Sequence, residues 1–247
     1  MKDSETGENQ MAERKMLITG TDMGLGAAMT EAALAQGYIV YSCLYKKTTP
    51  TMEQLKAQYK DNLFVVEDVD IGKDSSVAAA LKTVSAQTDF LDVIVNNGAI
   101  NPDNFKSKLE EIDFNITQAV LNVNALGALR ITKGFVGLLR RGYLKTIVNI
   151  SSEAGSITDS FRITGYDYNM SKSALNMASS MLQTYLKPEG IKVLAVFPGW
   201  LQTVMGGPGA ILAPIEAARR ILKLVMDFQG KFNAHIFMDN EGNKIDW

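Results

Sequence analysis

The stretch GYDYNMSKSALN, residues 165 to 176, sets two tyrosines beside one lysine. On a helix, positions four apart share a face, so Tyr168 and Lys172 point together. Tyr166, six positions from Lys172, lies about 240° round the helix and faces elsewhere. An ammonium beside a phenol favours phenolate, so Tyr168 is expected to have a lowered pKa and to serve as an acid at neutral pH. Tyr166 is expected to be pocket wall or packing. A Tyr-x-x-x-Lys string is common in helices, and its setting therefore matters. Here it follows VNISSEAGS, where serine hydroxyls would emerge at the carboxyl edge of a sheet, the edge that binds ligands in open α/β folds.

A second constellation lies near the start of the chain. The string TGTDMGLGAAM puts Gly20, Gly24 and Gly26 between an apolar strand and a helix, in the pattern G-x-x-x-G-x-G. A dinucleotide makes the same demands: a tight turn, close approach of backbone to pyrophosphate, and a helix N-terminus whose N–H groups face the phosphates. The end of the second strand reports on the cofactor, because an acid there suits a ribose 2′-hydroxyl and a cation suits a 2′-phosphate. It reads SCLYKK, with no acid between Glu31 and Glu53, so Tyr45 and Lys46 are candidate contacts and NADP(H) is favoured over NAD(H). Against this, Lys46 and Lys47 also suit a solvated loop, and Asp22 in the glycine turn is a poor neighbour for added phosphate charge.

These groups need a scaffold. Short β-rich runs at 15–19, 38–44, 62–67, 91–96, 145–150, 191–197 and 234–238 alternate with helix-period segments. Val77, Leu81 and Val84 form one apolar stripe. Ile215, Ala218, Leu222 and Val225 form another behind Pro214, and a long helix is expected over roughly 116–139. Alternation of this kind predicts an α/β fold, a single-domain Rossmann-type doubly wound parallel sheet of about seven strands with helices on both faces. The catalytic and nucleotide-binding domain is expected at 15–247. Residues 1–14 are polar and read as a flexible tail, either an added extension or an upstream start before Met11.

Composition narrows the function further. The formal net charge of −2 gives no attraction to nucleic acid or an anionic membrane, and no signal peptide or membrane span is evident at the start, so a cytoplasmic location is expected. One cysteine, Cys43, cannot close an internal disulfide and reads as a core residue. With the single His235 it makes too small a set for a His/Cys metal site. Met170, Met177, Met181 and Met205 are expected either to line an adaptable pocket or to fill core. The apolar, glycine-rich VMGGPGAILAP after Thr203 suits either a mobile lid or an ordered loop packed on the core.

Taken together, the strings TGTDMGLG, Asp70-Ile71, NNGA (96–99), NVNALGALRIT (122–132), NISS (149–152), YNMSK (168–172) and PGWLQT (198–203) resemble the short-chain dehydrogenase/reductase family from Lys15 to Trp247. PGWLQTVMGGPGA and the closing DNEGNKIDW are most similar to the branch of sniffer carbonyl reductases and C-factor-like proteins. The resemblance implies hydride transfer between a nicotinamide cofactor and an aldehyde, ketone or alcohol. Tyr168 would be the proton donor, Ser152 the hydroxyl steadying the substrate oxygen (Ser151 if the serine pair is displaced by one), Lys172 the ribose ligand and Asn124 the holder of a relay water. It further implies Gly20, Thr21, Gly24, Leu25 and Gly26 along the pyrophosphate, Asp70 and Ile71 at the adenine, Asn97 and Gly98 by the adenosine-side ribose, and Pro198, Gly199, Leu201 and Thr203 around the nicotinamide.

One departure stands out: the family usually reads Asn-Asn-Ala-Gly where this chain has Gly98 before Ala99. Two other readings stay open, a nicotinamide-binding regulatory or signalling protein with incidental turnover, and dehalogenase or lyase chemistry on the same scaffold. The expected partner is a small carbonyl or alcohol substrate. The long helix would serve a homo-oligomer or a monomer's core equally.

Overall fold

Residues at odd and even positions of the first strand face opposite ways, and both ways are apolar. Met16 and Ile18 join one core, Leu17 the other, so this strand must be covered on both faces. It is β1 (Arg14–Thr19), and with β2 (Tyr38–Cys43), β3 (Leu63–Val66), β4 (Val93–Asn96), β5 (Thr146–Ile150), β6 (Lys192–Phe197) and β7 (Phe237–Asp239) it builds one sheet in the order β3-β2-β1-β4-β5-β6-β7. All neighbouring strands run parallel. The computed structural model describes residues 13–102, 106–232 and 235–247. Most of the expected tail at 1–14 and the start of the expected last strand therefore lie outside the described residues.

Helices α1 (Gly24–Ala35), α2 (Pro50–Tyr59), α3 (Asp74–Ser85), α4 (Phe114–Leu121), α5 (Ala128–Leu139), α6 (Tyr166–Leu186) and α7 (Pro214–Asp227) cover the sheet. On one face Met29 and Ala33 of α1 meet Ile221 and Leu222 of α7 over Val40, Val93 and Val196. On the other, Val77 and Val84 of α3 and Ile131 and Phe135 of α5 pack on Ile94, Ile147 and Val193. Helix α7 opens with Pro214, as its missing N–H allows. The chain steps outward from β1 to β3 and then crosses back to β4, so the switch point of the sheet lies between the carboxyl ends of β1 and β4.

The long helix expected over 116–139 is present as one uninterrupted helical run from Phe114 to Leu139 that changes pitch in its middle. Between α4 and α5 the segment Asn122–Gly127 is π-helical, a wider turn that re-aims the side chains it carries. Asn124 lies in it. Cys43 is buried core as expected, and burial pushes its thiol up to about 12.

Of the two readings open for the methionines, the structure removes core filling. Met170, Met177 and Met181 lie on the exposed side of α6, with Met177 64% exposed, so they fill no core. The segment after Thr203 folds back on itself: Leu201 bridges Leu212, and Trp200 Nε1 donates to the Gly206 carbonyl at 2.7 Å.

Candidate active site

The glycine turn needs its glycines because the backbone of two strand ends meets there. A Cβ on Gly26 would sit 2.1 Å from the Gly20 carbonyl oxygen, inside any tolerable contact. Gly20, at φ +67°, lies so close to Gly98 that a Cβ on it would stand 2.7 Å from the Gly98 Cα. Position 98 lies between Gly20 and Ile71, and a Cβ there would meet only the Ile71 Cδ1 methyl closely, at 2.9 Å.

Thr19 and Asn97 fasten the strand ends together. Thr19 Oγ1 accepts the Asn97 and Gly98 amides at 3.1 Å, and Asn97 Nδ2 donates to the Thr19 and Gly20 carbonyls at 2.9 Å. Thr21 accepts from Ser42 Oγ at 2.7 Å, and Leu25 is buried in the core. The first residues of α1 carry no side-chain cap, so its N–H groups face the cleft without an internal acceptor from the preceding Met23 side chain. The Thr203 methyl comes within 3.2 Å of where a Gly24 Cβ would be, which brings the loop after β6 to the same turn. Pro198 and Gly199 are held by Asn240, whose Nδ2 donates to the Pro198 carbonyl at 2.6 Å.

Beyond β2, the Asp22 carboxylate accepts the Tyr45 and Lys46 amides at 2.9 and 3.1 Å. Lys47 is bound to Asp68 at 2.5 Å and to Glu67 at 3.5 Å, which leaves Lys46 as the cation of that pair without a carboxylate partner among the described residues. Asp70 accepts the Gly72 amide and pairs with Lys73, while Ile71 is turned into the core against Gly98 and Gly127.

Helix α6 starts after Gly165 in the left-handed conformation, and its first turns place Tyr168 and Lys172 on one buried face, 7% and 2% exposed. Tyr166 opens the helix and is half-buried. The Lys172 ammonium donates to the Ile150 carbonyl at 2.8 Å and lies 5.4 Å from the centre of the Tyr168 ring. Burial lowers the Lys172 pKa to about 8.

Tyr168 departs from expectation. Its pKa is raised, first by burial and then by the Glu153 carboxylate, while a hydrogen bond with Ser152 and the Arg162 charge act the other way. Lys172 is not among the groups that lower it; desolvation of the phenolate dominates.

The structure separates the two serines. Ser152 meets Tyr168, whereas Ser151 turns away and donates to Asn176 Oδ1 at 2.6 Å. Asn124 Nδ2 donates to Ser171 Oγ at 3.0 Å and to the Ile100 carbonyl at 2.9 Å, and its Oδ1 accepts the Ile100 amide at 2.8 Å. Since Ser171 donates to the Tyr168 carbonyl at 2.7 Å, the π-helical turn is tied to the turn of α6 that carries the phenol. Thr19, Glu153, Arg162, Ser171 and Asn176 went unrecognised in the sequence. Glu153 and Asn176 stand within VNISSEAGS and GYDYNMSKSALN, one residue after Ser152 and four after Lys172; Glu153 pairs locally with Ser152 and Arg162, whereas the partners of Asn176, Ser151 and Gly155, come from a segment more than twenty residues away.

A family model described as short chain dehydrogenase matches residues 14–209. C-signal of Myxococcus xanthus is 33% identical over 157 residues, 64% of this chain and 93% of that protein. Short-chain dehydrogenase anuI of Penicillium roqueforti is 28% identical over 246 residues, 94% of this chain and 96% of that protein. Among solved structures, carbonyl reductase Sniffer of D. melanogaster has a TM-score of 0.84 at 23% identity, covering 95% of this chain and 100% of its own. An NADPH-bound carbonyl reductase from chicken fatty liver gives 0.83 at 24% identity, covering 95% and 99%.

Proposed function

Because the chain belongs to the short-chain dehydrogenase family, we propose that it is an NADP(H)-favouring oxidoreductase that interconverts an aldehyde or ketone and its alcohol. The observation that carries this reading is the Tyr168 side chain buried beside Ser152, with the Lys172 ammonium 5.4 Å from its ring centre on the same helix face. Residues 15–247 are taken as one working unit, since a single sheet runs through them.

The cleft fits a dinucleotide: Gly20, Gly24 and Gly26 leave backbone bare where side chains would fill the turn, and the α1 N-terminus faces it uncapped. Gly20, Thr21, Gly24, Leu25 and Gly26 would hold pyrophosphate, Tyr45 and Lys46 the adenosine phosphate, and Asp70, Ile71, Asn97 and Gly98 the adenosine side. Pro198, Gly199, Leu201 and Thr203 would frame the nicotinamide, and Lys172 its ribose. The bound cofactor supplies the hydride. Tyr168 supplies the proton to the carbonyl oxygen, Ser152 steadies that oxygen, and Asn124 holds Tyr168's helix turn in place through Ser171. The likeness to the chicken fatty liver protein, a carbonyl reductase with NADPH bound, supports both the cofactor and the substrate class.

Titration with NADPH and NADH, followed by cofactor oxidation against a panel of aldehydes and ketones, tests the reading. Binding of NADPH ahead of NADH with turnover of at least one carbonyl is expected. Binding with no turnover across the panel would favour the regulatory or signalling reading instead.

A further inference from the structure

Successive backbone amides that converge on one acceptor form a small anion-binding corner. Such a corner follows β2. Past Cys43 the Leu44 amide still donates to the Val66 carbonyl at 2.9 Å. The next two amides have left the sheet and turn to the Asp22 carboxylate, Tyr45 to Oδ2 at 2.9 Å and Lys46 to Oδ1 at 3.1 Å. Asp22 is brought there by the glycine turn, where the preceding Thr21 amide donates to the Cys43 carbonyl at 3.2 Å. One carboxylate oxygen for each amide fills the corner.

The end of the second strand is where a dinucleotide fold tells a ribose 2′-hydroxyl from a 2′-phosphate. These two groups make opposite demands on an acid. A hydroxyl can donate to a free lone pair of a carboxylate, whereas a phosphate monoester carries a charge of about −1.5 to −2 at neutral pH and in its dianionic form only accepts. The phosphate needs the donors that Asp22 already holds, and the charge that holds them repels it. Neighbouring cations offer little relief. Lys47 is paired with Asp68 and Glu67, and Lys73 with Asp70 at 3.1 Å, so of these three lysines Lys46 alone lacks a carboxylate partner among the described residues.

We propose that Asp22 is a specificity-determining residue: by occupying the Tyr45 and Lys46 amides it works against a 2′-phosphate and keeps NADH usable beside NADPH. The proposal rests on the cleft binding a nicotinamide dinucleotide, as read above. Specificity is then a difference between two opposed groups on one corner. The Lys46 ammonium draws the phosphate, the Asp22 carboxylate repels it, and the preference for NADPH is what remains.

The test uses adenosine 2′,5′-bisphosphate and adenosine 5′-monophosphate, which differ by the 2′-phosphate and carry no nicotinamide. Each is titrated calorimetrically into the parent, Asp22→Asn, Asp22→Ser and Lys46→Ala. Asp22→Asn keeps the size of the side chain and one carbonyl acceptor, while Asp22→Ser empties the corner. Both are expected to tighten the bisphosphate by about tenfold and to leave the monophosphate where it was. Lys46→Ala is expected to weaken the bisphosphate and likewise spare the monophosphate. Because one charge acts on another through water, the advantage of the Asp22 variants over the parent should shrink between about 0.1 and 1 M salt, as the screening length falls from about 10 to 3 Å.

An affinity ratio that neither Asp22 variant moves overturns the proposal. So does an equal change for both nucleotides, which is what a loosened turn would give. A parent that binds neither nucleotide brings down the dinucleotide reading and this proposal with it. A shifted ratio in a protein that reduces no carbonyl would instead sink the enzymatic reading and leave the role of Asp22 standing, since these titrations need no turnover.

Discussion

Lys172 stands one turn beyond Tyr168 on the same buried face of α6, with its ammonium 5.4 Å from the phenol ring centre and anchored to the Ile150 carbonyl at 2.8 Å. A cation held at the end of β5 and an acid held on α6 are thereby fixed relative to one another by the sheet–helix packing itself.

Removing the acid tests its role directly. Tyr168→Phe should lower kcat for carbonyl reduction by about 10²–10⁴-fold, the usual range for general acid catalysis, with NADPH affinity nearly unchanged. Steady-state kinetics paired with a fluorescence titration of NADPH measures both. Parental turnover in this variant would remove Tyr168 from the mechanism.

The buried ammonium makes stability depend on pH. Burial lowers the Lys172 pKa from 10.5 to about 8. Below that value the group is charged in both folded and unfolded chains, and the cost of burying charge is fully present. Between about 8 and 10.5 the unfolded chain binds more protons than the folded one, so stability rises with pH. The gain from this residue in the cofactor-free protein should be on the order of 3 kcal/mol at most. Urea midpoints of parent and Lys172→Met compared across this window should diverge as pH falls, the parent being the weaker, and parallel curves would refute the assignment.

Asn124 couples the π-helical turn to α6 through three side-chain hydrogen bonds. Asn124→Ala leaves the Ile100 amide and carbonyl without those partners and should destabilise the fold by about 2–4 kcal/mol. Denaturant unfolding of this variant beside Asn124→Asp, which keeps the acceptor to Ile100, separates the loss of the two donated bonds from the loss of all three.

The two lysines after β2 should behave differently towards cofactor. Lys47 is occupied by Asp68 and Glu67, so Lys47→Ala should leave the NADPH to NADH preference intact. Lys46→Ala should weaken NADPH by about tenfold and NADH hardly at all, the loss of one phosphate-binding cation being on the order of 1.4 kcal/mol. Equal losses for both cofactors would place the adenosine phosphate elsewhere.

Much of this arrangement was legible in the residues. The alternation of Met16 and Ile18 against Leu17 foretells a strand covered on two faces, and Pro214 with its apolar stripe foretells α7. Gly20, Gly24 and Gly26 announce a turn in which backbone must pass close to something, and the spacing of Tyr168 and Lys172 announces one helix face. Each is a local rule, with its period or steric demand contained in a few consecutive residues.

What the tertiary structure decided depends on which distant segments meet and on how dry their meeting place is. It set Ser152 beside Tyr168 and turned Ser151 to Asn176, gave Gly98 a neighbour in Gly20, turned Met177 out to the surface, and opened the helix at Asn124 into a wider turn. It also reversed the expected shift of the Tyr168 pKa, because desolvation and the charge on Glu153 raise it more than Ser152 and Arg162 lower it. Spacing along the chain fixes which side chains share a face, but the energy of a proton on one of them is set by everything that excludes water from it, and most of that comes from elsewhere in the sequence.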